Sequence, residues 1–556
     1  MSDTTLIHRT QPAWRRLLAP LLSPWSFGAL LIAAIVILPI LSVVWIAMTP
    51  GENIWPHLLS TTLPRYLKNT AILMLSVGVL AGLVGTGAAW LVSRYRFPLS
   101  GWLEWLLLLP LAIPAYVGAY ALVDLFEYAG PVQTWLRQMM GWSTSRDYWF
   151  PPIRSMGSAI FVLTAALYPY VYLLARAAFR EQSAAAEEVA RSLGAGPWGR
   201  FMRVGLPLAR PAIAAGMAIV MMETVNDFGA VDYFAVQTLT TGIFSVWLEA
   251  GNAAGAAQIA SVVLALVIML VALEKSSRRR IRFFNLSTRH RAVERVALQG
   301  PAGWVAMLLC LIPFAVGFVL PAGVILYHAL NNADRWADPA LLRALFNTLT
   351  VGGIAAAVTV LAGVFMVYGV RLSGRRLPRL LLPLTTIGYA APGAVLGVGL
   401  LIPLAALDHR IADTIEAVTG IDVGLLLTGS ATALVLAYTV RFFAIAQGAA
   451  DAAMGRVSPS LPMAARSLGR NQGQVLGQVY YPLIRGSIAS ALLLVFVDCV
   501  KELPATLLLR PFNYNTLATR VHDQASLENL GDAAPAAILV ILVGLAAVGL
   551  LARTNR

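Results

Sequence analysis

Four acidic residues stand where acids are costly. Glu223 and Asp227 lie within one long apolar run and Asp498 and Glu502 within another, each pair four residues apart and the two pairs offset by the same 275 positions. Four residues make about one helical turn, so each pair is expected on a single helix face. Ionisable groups inside apolar runs often mark the route of an ion or polar solute. Carboxylates on such a face would line the path and ease passage of a cation; alternatively they fasten neighbouring helices or sit near a mouth of the path. Lys501 could pair with Asp498, three residues back, or reach another helix.

Other chemistry is thinly supplied. The histidines are His8, His57, His290, His328, His409 and His522, and no two have metal-ligand spacing. Cys310 and Cys499 both sit in apolar stretches, so neither a disulfide framework nor a thiolate metal site is expected. A phosphate-binding loop needs Gly-Lys followed by Ser or Thr. The lysines here, Lys68, Lys275 and Lys501, follow Leu67, Glu274 and Val500, so no nucleotide site of that kind exists and no catalytic residue is assigned.

The elements that must position the acids are membrane spans. Of 556 residues 58% are hydrophobic and only 12% charged, with mean hydropathy +0.72, too apolar for a soluble domain of this length. Runs long enough to cross a bilayer are expected at 27–48, 70–93, 105–126, 157–178, 211–232 and 256–274, then at 304–328, 348–370, 380–407, 424–446, 486–509 and 533–552. Pro110, Pro114, Pro383 and Pro392 interrupt the third span of each set. The apolar run after Arg9, Arg15 and Arg16 is too long for a signal peptide and reads as a retained first span. With the N-terminus inside, 30 of the 41 Lys and Arg fall on the inner side and 10 in outer loops. That bias follows the positive-inside rule and places both termini in the cytoplasm. The net charge of +14 is thereby accounted for without a nucleic-acid partner.

The chain also repeats itself. Glu188-Val-Ala-Arg-Ser-Leu-Gly194, nine residues, then Val204-Gly-Leu206-Pro207 recurs as Met463-Ala-Ala-Arg-Ser-Leu-Gly469, nine residues, then Val479-Tyr-Tyr481-Pro482. Asn69-Thr70 and Asn347-Thr348 correspond at an offset of 278. Because both copies fall in inner loops, an even number of spans separates them, and the halves are parallel repeats. The expected architecture is all-α and polytopic: a first half at 1–274 with a loop at about 181–210, a basic linker at 275–303, and a second half at 304–556 with a loop at about 456–485. The linker reads as a stop-transfer anchor and tether, or as a site for anionic headgroups.

In each loop Ala186, Val189, Ala190 and Leu193, or Leu461, Ala464, Ala465 and Leu468, form an apolar stripe at helical spacing. Gly194 and Gly469 suit a left-handed helix end, and Pro197 stops the first helix from continuing. The product is a short amphipathic knob fit for a partner's groove; the alternative is a helix lying on lipid.

These loops resemble the Glu-Ala-Ala motif of binding-protein-dependent ABC importer permeases. The first copy keeps Glu188, Ala190, Gly194, Leu206 and Pro207, with Val189 conservative; the second keeps Ala464, Ala465, Gly469 and Pro482 but has Met463 in place of Glu. The resemblance implies the type I importer fold, two copies of a cytoplasmic ATPase carrying ATP and magnesium, a periplasmic substrate-binding protein, and no cofactor on this chain. Asn226-Asp-Phe-Gly-Ala-Val-Asp-Tyr233 and Lys501-Glu-Leu-Pro-Ala-Thr-Leu-Leu-Leu-Arg-Pro-Phe512 resemble segments of the fused two-half ferric iron permeases. Thiamine and aminoethylphosphonate permeases share the architecture. An ion-gradient-driven secondary transporter would share the parallel halves but has no use for duplicated coupling loops.

Overall fold

A computed structural model describes residues 24–554 except 52, 183, 280–294, 374, 375, 387, 389 and 390; most of the linker lies outside the described residues, as do the side chains of Ala186 and Glu187. The described chain is helical almost throughout. Its strands are two-residue pieces, Tyr95–Arg96 and Val296–Ala297, paired in parallel. Among the described residues eleven helices are long and apolar enough to cross a membrane, and a twelfth span results if the bent pair Ser100–Ala112 and Ala115–Met140 counts as one.

Where the spans depart from expectation, a backbone group explains why. The third segment turns by 92° just before Ala115, where Pro114 has no N–H to continue the ladder. The Lys501 ammonium donates to the Leu111 carbonyl at 2.6 Å, rather than bonding only within its own helix; freed backbone groups at such breaks need a partner of this sort. The ninth splits into Arg376–Thr385 and Gly393–Thr419 around Pro392. The tenth begins at Thr432 instead of 424, because Asp408 takes the N–H groups of Leu426, Leu427 and Thr428 at 2.8–3.1 Å and holds that apolar stretch as a loop. The fifth and eleventh stop at Asn226 and Lys501, short of the expected 232 and 509.

The chain forms two discontinuous compact units that cut across the sequence halves. One comprises residues up to 41, 352–389 and 435–499. Its core is Val367, Tyr368, Ala450, Ala453, Met454 and Ile484. Trp25 of the first helix, Pro24–Met48, stacks on Phe365 at 4.9 Å and meets Tyr368 edge-on at 5.0 Å. Gly369 admits that helix: a Cβ there would lie 2.6 Å from the Trp25 carbonyl oxygen.

The other unit comprises 42–351, 390–434 and 500–556. Leu63–Arg94, Met156–Glu181 and Leu206–Asn226 pack through small residues: added Cβ atoms at Gly85 and Gly216 would lie 2.8 Å from Tyr168 and Val171 backbone. Close backbone approach of this kind is how helices gain contact inside a bilayer. The opening helix of the second half is seated here, Gly317 standing against the Ala165 carbonyl and Pro110.

Candidate coupling helices and helix breaks

The two loop helices are Ala184–Ser192 and Ser460–Ser467. Both end as their glycines require. Gly194 has φ +79° and Gly469 φ +80°. Gly194 and Ala195 donate to the carbonyls of Arg191 and Ala190, and Gly469 and Arg470 to those of Arg466 and Ala465, at 2.9–3.1 Å; this bond pair closes a helix on a left-handed residue. Among the described residues nothing lies within 4 Å of a Cβ built on either glycine, so the constraint is backbone conformation, not space.

The stripe is not all presented alike. Ala190 is buried, whereas Val189, Leu193, Met463 and Leu468 are 57%, 81%, 58% and 82% exposed. Glu188 and Ala464 are exposed and Ala465 is half-buried. Each loop thus offers large apolar side chains next to a helix end.

Beyond each knob the chain enters the membrane through one wide turn of π type, Phe201–Gly205 and Leu476–Tyr480, again 275 apart. Pro207 and Pro482 follow. Lacking an N–H, they leave the carbonyls of Arg203 and Gln478 without the usual donor, and Leu206 and Tyr481 bond instead to Phe201 and Leu476, five residues back. Both wide turns rest on an aromatic residue of their half's second span. Trp90 meets Phe201 at 5.1 Å, and Tyr368 meets Tyr480 at 5.5 Å and donates to the Gln472 carbonyl at 2.6 Å. Trp90 and Tyr368 are 278 apart, the offset of the Asn-Thr pairs. On the first copy Gln182 also donates to the Gly205 carbonyl at 2.9 Å and accepts from Arg94 at 2.7 Å. Nearby, buried Glu104 pairs with Arg176, Arg180 and Arg295.

The acids resolve into two kinds. Glu223 and Asp498 are half-buried on their helices. Asp227 and Glu502 are not on the same helix faces, since the helices end before them. Asp227 instead accepts from the N–H groups of Ala230 and Val231 at 3.1 Å. Glu502 accepts from Ala505 and Thr506 N–H at 3.0 Å and from the Thr506 hydroxyl at 2.9 Å. Each carboxylate caps the short helix that follows, Gly229–Tyr233 and Pro504–Leu509, answering orphan donors and the positive helix end.

The Asn-Thr pairs secure the next turn. Asn69 donates to the Gln237 carbonyl at 2.8 Å and Asn347 to that of Asn515 at 3.0 Å. The hydroxyls of Thr70 and Thr348 accept from Leu239 and Leu517 N–H at 3.0 and 2.8 Å. Both helices so caught open with a capping box, Thr238 with Thr241 and Thr516 with Thr519. Spacing brought out the Asn-Thr pairs but not their partners, although Thr-x-x-Thr after each break was a visible signal. Missed too were Trp90 and Tyr368, whose shared offset of 278 was a signal in the sequence, and Glu104, which carries none.

Residues 74–283 match the family described as binding-protein-dependent transport system inner membrane component. The chain is 27% identical over 492 residues to an Fe(3+)-transport system permease protein of Haemophilus influenzae, covering 86% of this chain and 87% of that one. It is 30% identical over 205 residues to the molybdenum transport system permease protein of Escherichia coli, covering 34% of this chain and 85% of the relative. With the sulfate transport system permease of Escherichia coli it shares 27% over 263 residues, 46% of this chain and 92% of the relative. Duplicated exposed knobs, wide turns at matching prolines and these matches agree: the chain belongs to the binding-protein-dependent transport system inner membrane component family, as a multi-pass transport permease.

Proposed function

We propose that this chain is the permease of a ferric iron importer, its fused halves, 1–274 and 304–556, joined by the 275–303 linker. A periplasmic binding protein delivers the substrate, and two copies of a cytoplasmic ABC ATPase, which hold ATP and magnesium, dock on Ala184–Ser192 and Ser460–Ser467. Both termini lie in the cytoplasm. The observation that supports docking best is the module found twice at one offset: an exposed apolar helix, a left-handed glycine, a wide turn and a proline. In this reading Glu188, Val189, Ala190, Leu193, Gly194, Leu206 and Pro207, with Met463, Ala464, Ala465, Leu468, Gly469 and Pro482, form the coupling surfaces.

Ferric iron is favoured by the relative that matches this chain nearly end to end, whereas the molybdenum and sulfate permeases match less than half of it. The chemistry of movement follows from the helices. Leu206–Asn226 and Tyr481–Lys501 each run 21 residues from a coupling loop to a break, a rigid lever of about 30 Å. Closure of the ATPase pair pushes the knobs, and the levers carry that displacement to Asp227 and Glu502, where short capped helices change position and open the path to alternate sides. Glu223, Asp227, Asp498 and Glu502 give the path a cation-favouring potential.

The test is ATPase stimulation in the reconstituted complex. Ferric-loaded binding protein should stimulate hydrolysis and thiamine-loaded or sulfate-loaded binding proteins should not; stimulation by either of the latter alone would reassign the substrate.

A further inference from the structure

Helix Ala115–Phe126 starts directly after the break at Pro114 and carries Tyr116, Tyr120 and Asp124 at intervals of four residues, hence on one face. Tyr116 is wedged where the two breaks meet. A Cβ on Gly229, two residues beyond Asp227, would lie 2.8 Å from Tyr116 Cβ and 2.8 Å from a methyl of Leu503, which follows Glu502. The phenol is within electrostatic reach of both Glu502 and Asp227. Its hydroxyl is buried and has no hydrogen-bond partner among the described residues, and the same holds for Oδ1 of Asn226 at the first break.

One turn along, Tyr120 is fully buried. Its hydroxyl lies 3.0 Å from His522 Nδ1 and its ring meets Tyr233 edge-on at 4.5 Å. A further turn brings Asp124 to His328 at 3.0 Å. Arg154 covers Tyr233 and pairs with Glu127 and Glu528. Two phenols and a carboxylate therefore share a single helix face leading to the two breaks, with imidazoles of other helices set against Tyr120 and Asp124.

A buried hydroxyl without a partner is a standing cost that phenylalanine at the same position would avoid. Asp227 and Glu502 are engaged in capping, and among the described residues no three His, Cys, Asp or Glu side chains are disposed to hold a metal. A hard cation passing this face finds the phenols beside the two engaged carboxylates, and ferric iron takes oxygen and imidazole donors. Resting on the ferric reading above, we propose that Tyr116 and Tyr120, with His522 as proton acceptor, form a transient contact for ferric ion at the approach to the breaks. As the bond from iron to the Tyr120 oxygen forms, its O–H bond breaks and the proton moves to His522 Nδ1; Tyr116 contributes a neutral phenol oxygen, and iron stays ferric throughout. The two capping carboxylates lend negative charge without leaving their amides.

The test uses the permease–ATPase complex in lipid nanodiscs, titrated with ferric nitrilotriacetate both nucleotide-free and vanadate-trapped. Visible absorption and resonance Raman should report a phenolate-to-iron charge-transfer band in at least one state. Tyr120→Phe keeps the ring against Tyr233 and should abolish the band while ferric uptake into proteoliposomes falls roughly tenfold. Should that variant not assemble, His522→Gln, which accepts a hydrogen bond but no proton, should show the band only at higher pH. Absence of the band from wild type in both states, its persistence in Tyr120→Phe, or an unchanged pH for it in His522→Gln overturns the proposal. Wild-type complex that imports ferric iron without the band defeats the contact and leaves the ferric reading standing; wild type that takes no iron from its ferric-loaded donor defeats both.

Discussion

Asp227 and Glu502 show how one side chain serves two demands. Each sits at a point where a long helix stops and a new one must start with its first N–H groups in need of an acceptor. Capping and charge are separable by substitution. Asp227→Ala removes the acceptor and should lower stability by about 1 kcal/mol, read as a drop in thermal midpoint of the purified complex. Asp227→Asn keeps an acceptor and removes the charge, so it should melt like wild type; if its uptake nevertheless falls as far as that of the Ala variant, the charge and not the cap sets the transport rate. A third carboxylate acts outside the spans. The Ala340 N–H at 2.9 Å, assisted by Arg520, holds the Asp338 carboxyl below its ordinary range. A depressed folded value contributes stability above the unfolded one, about pH 4, and loses it as pH falls through the folded value. The thermal midpoint should therefore decline below about pH 4, and Asp338→Asn should show less of that decline.

At the scale of elements the knobs depend on glycine for its backbone. Gly194→Val together with Gly469→Val should disturb both helix ends, each left-handed β-branched residue costing about 1–2 kcal/mol or more, and should reduce co-purification of the ATPase while the spans stay folded by circular dichroism. Undiminished co-purification would show that the partner does not read the helix ends. These ends were legible because Gly and Pro act through the local chain, and the offset of 275 exposed both copies at once. The ends of the fifth and eleventh spans were not, since the apolar runs continue past Asn226 and Lys501; Asp227 and Glu502 reach forward to the next helices, and at the second break Pro504 also denies the ladder an N–H. The loop before Thr432 was hidden for the same reason: Asp408, eighteen to twenty residues upstream, decides it. Tyr116 and Tyr120 were passed over because aromatic residues at helical spacing in an apolar run are the usual filling of a bundle core.

For the molecule as a whole, the repeat in sequence and the compact units in space are different divisions. The first helix belongs by sequence to the first half, yet Trp25 is packed on Phe365 and Tyr368 of the second. Residues 1–280 expressed alone would leave that aromatic face uncovered, and removing such a packed ring costs about 3–5 kcal/mol. The isolated half should be degraded or protease-sensitive, and co-expression with 281–556 should rescue it; a protease-resistant first half on its own would show that the Trp25 contact is dispensable. The same contact sets a timetable during synthesis. Phe365 emerges some 340 residues after Trp25, and at ribosomal speeds of roughly 5–20 residues per second the leading helix waits on the order of 20 to 70 seconds for its seat. Through that interval it must be sheltered by lipid or by the insertion machinery, so a stall in translating the middle of the chain exposes its N-terminal helix first to quality control.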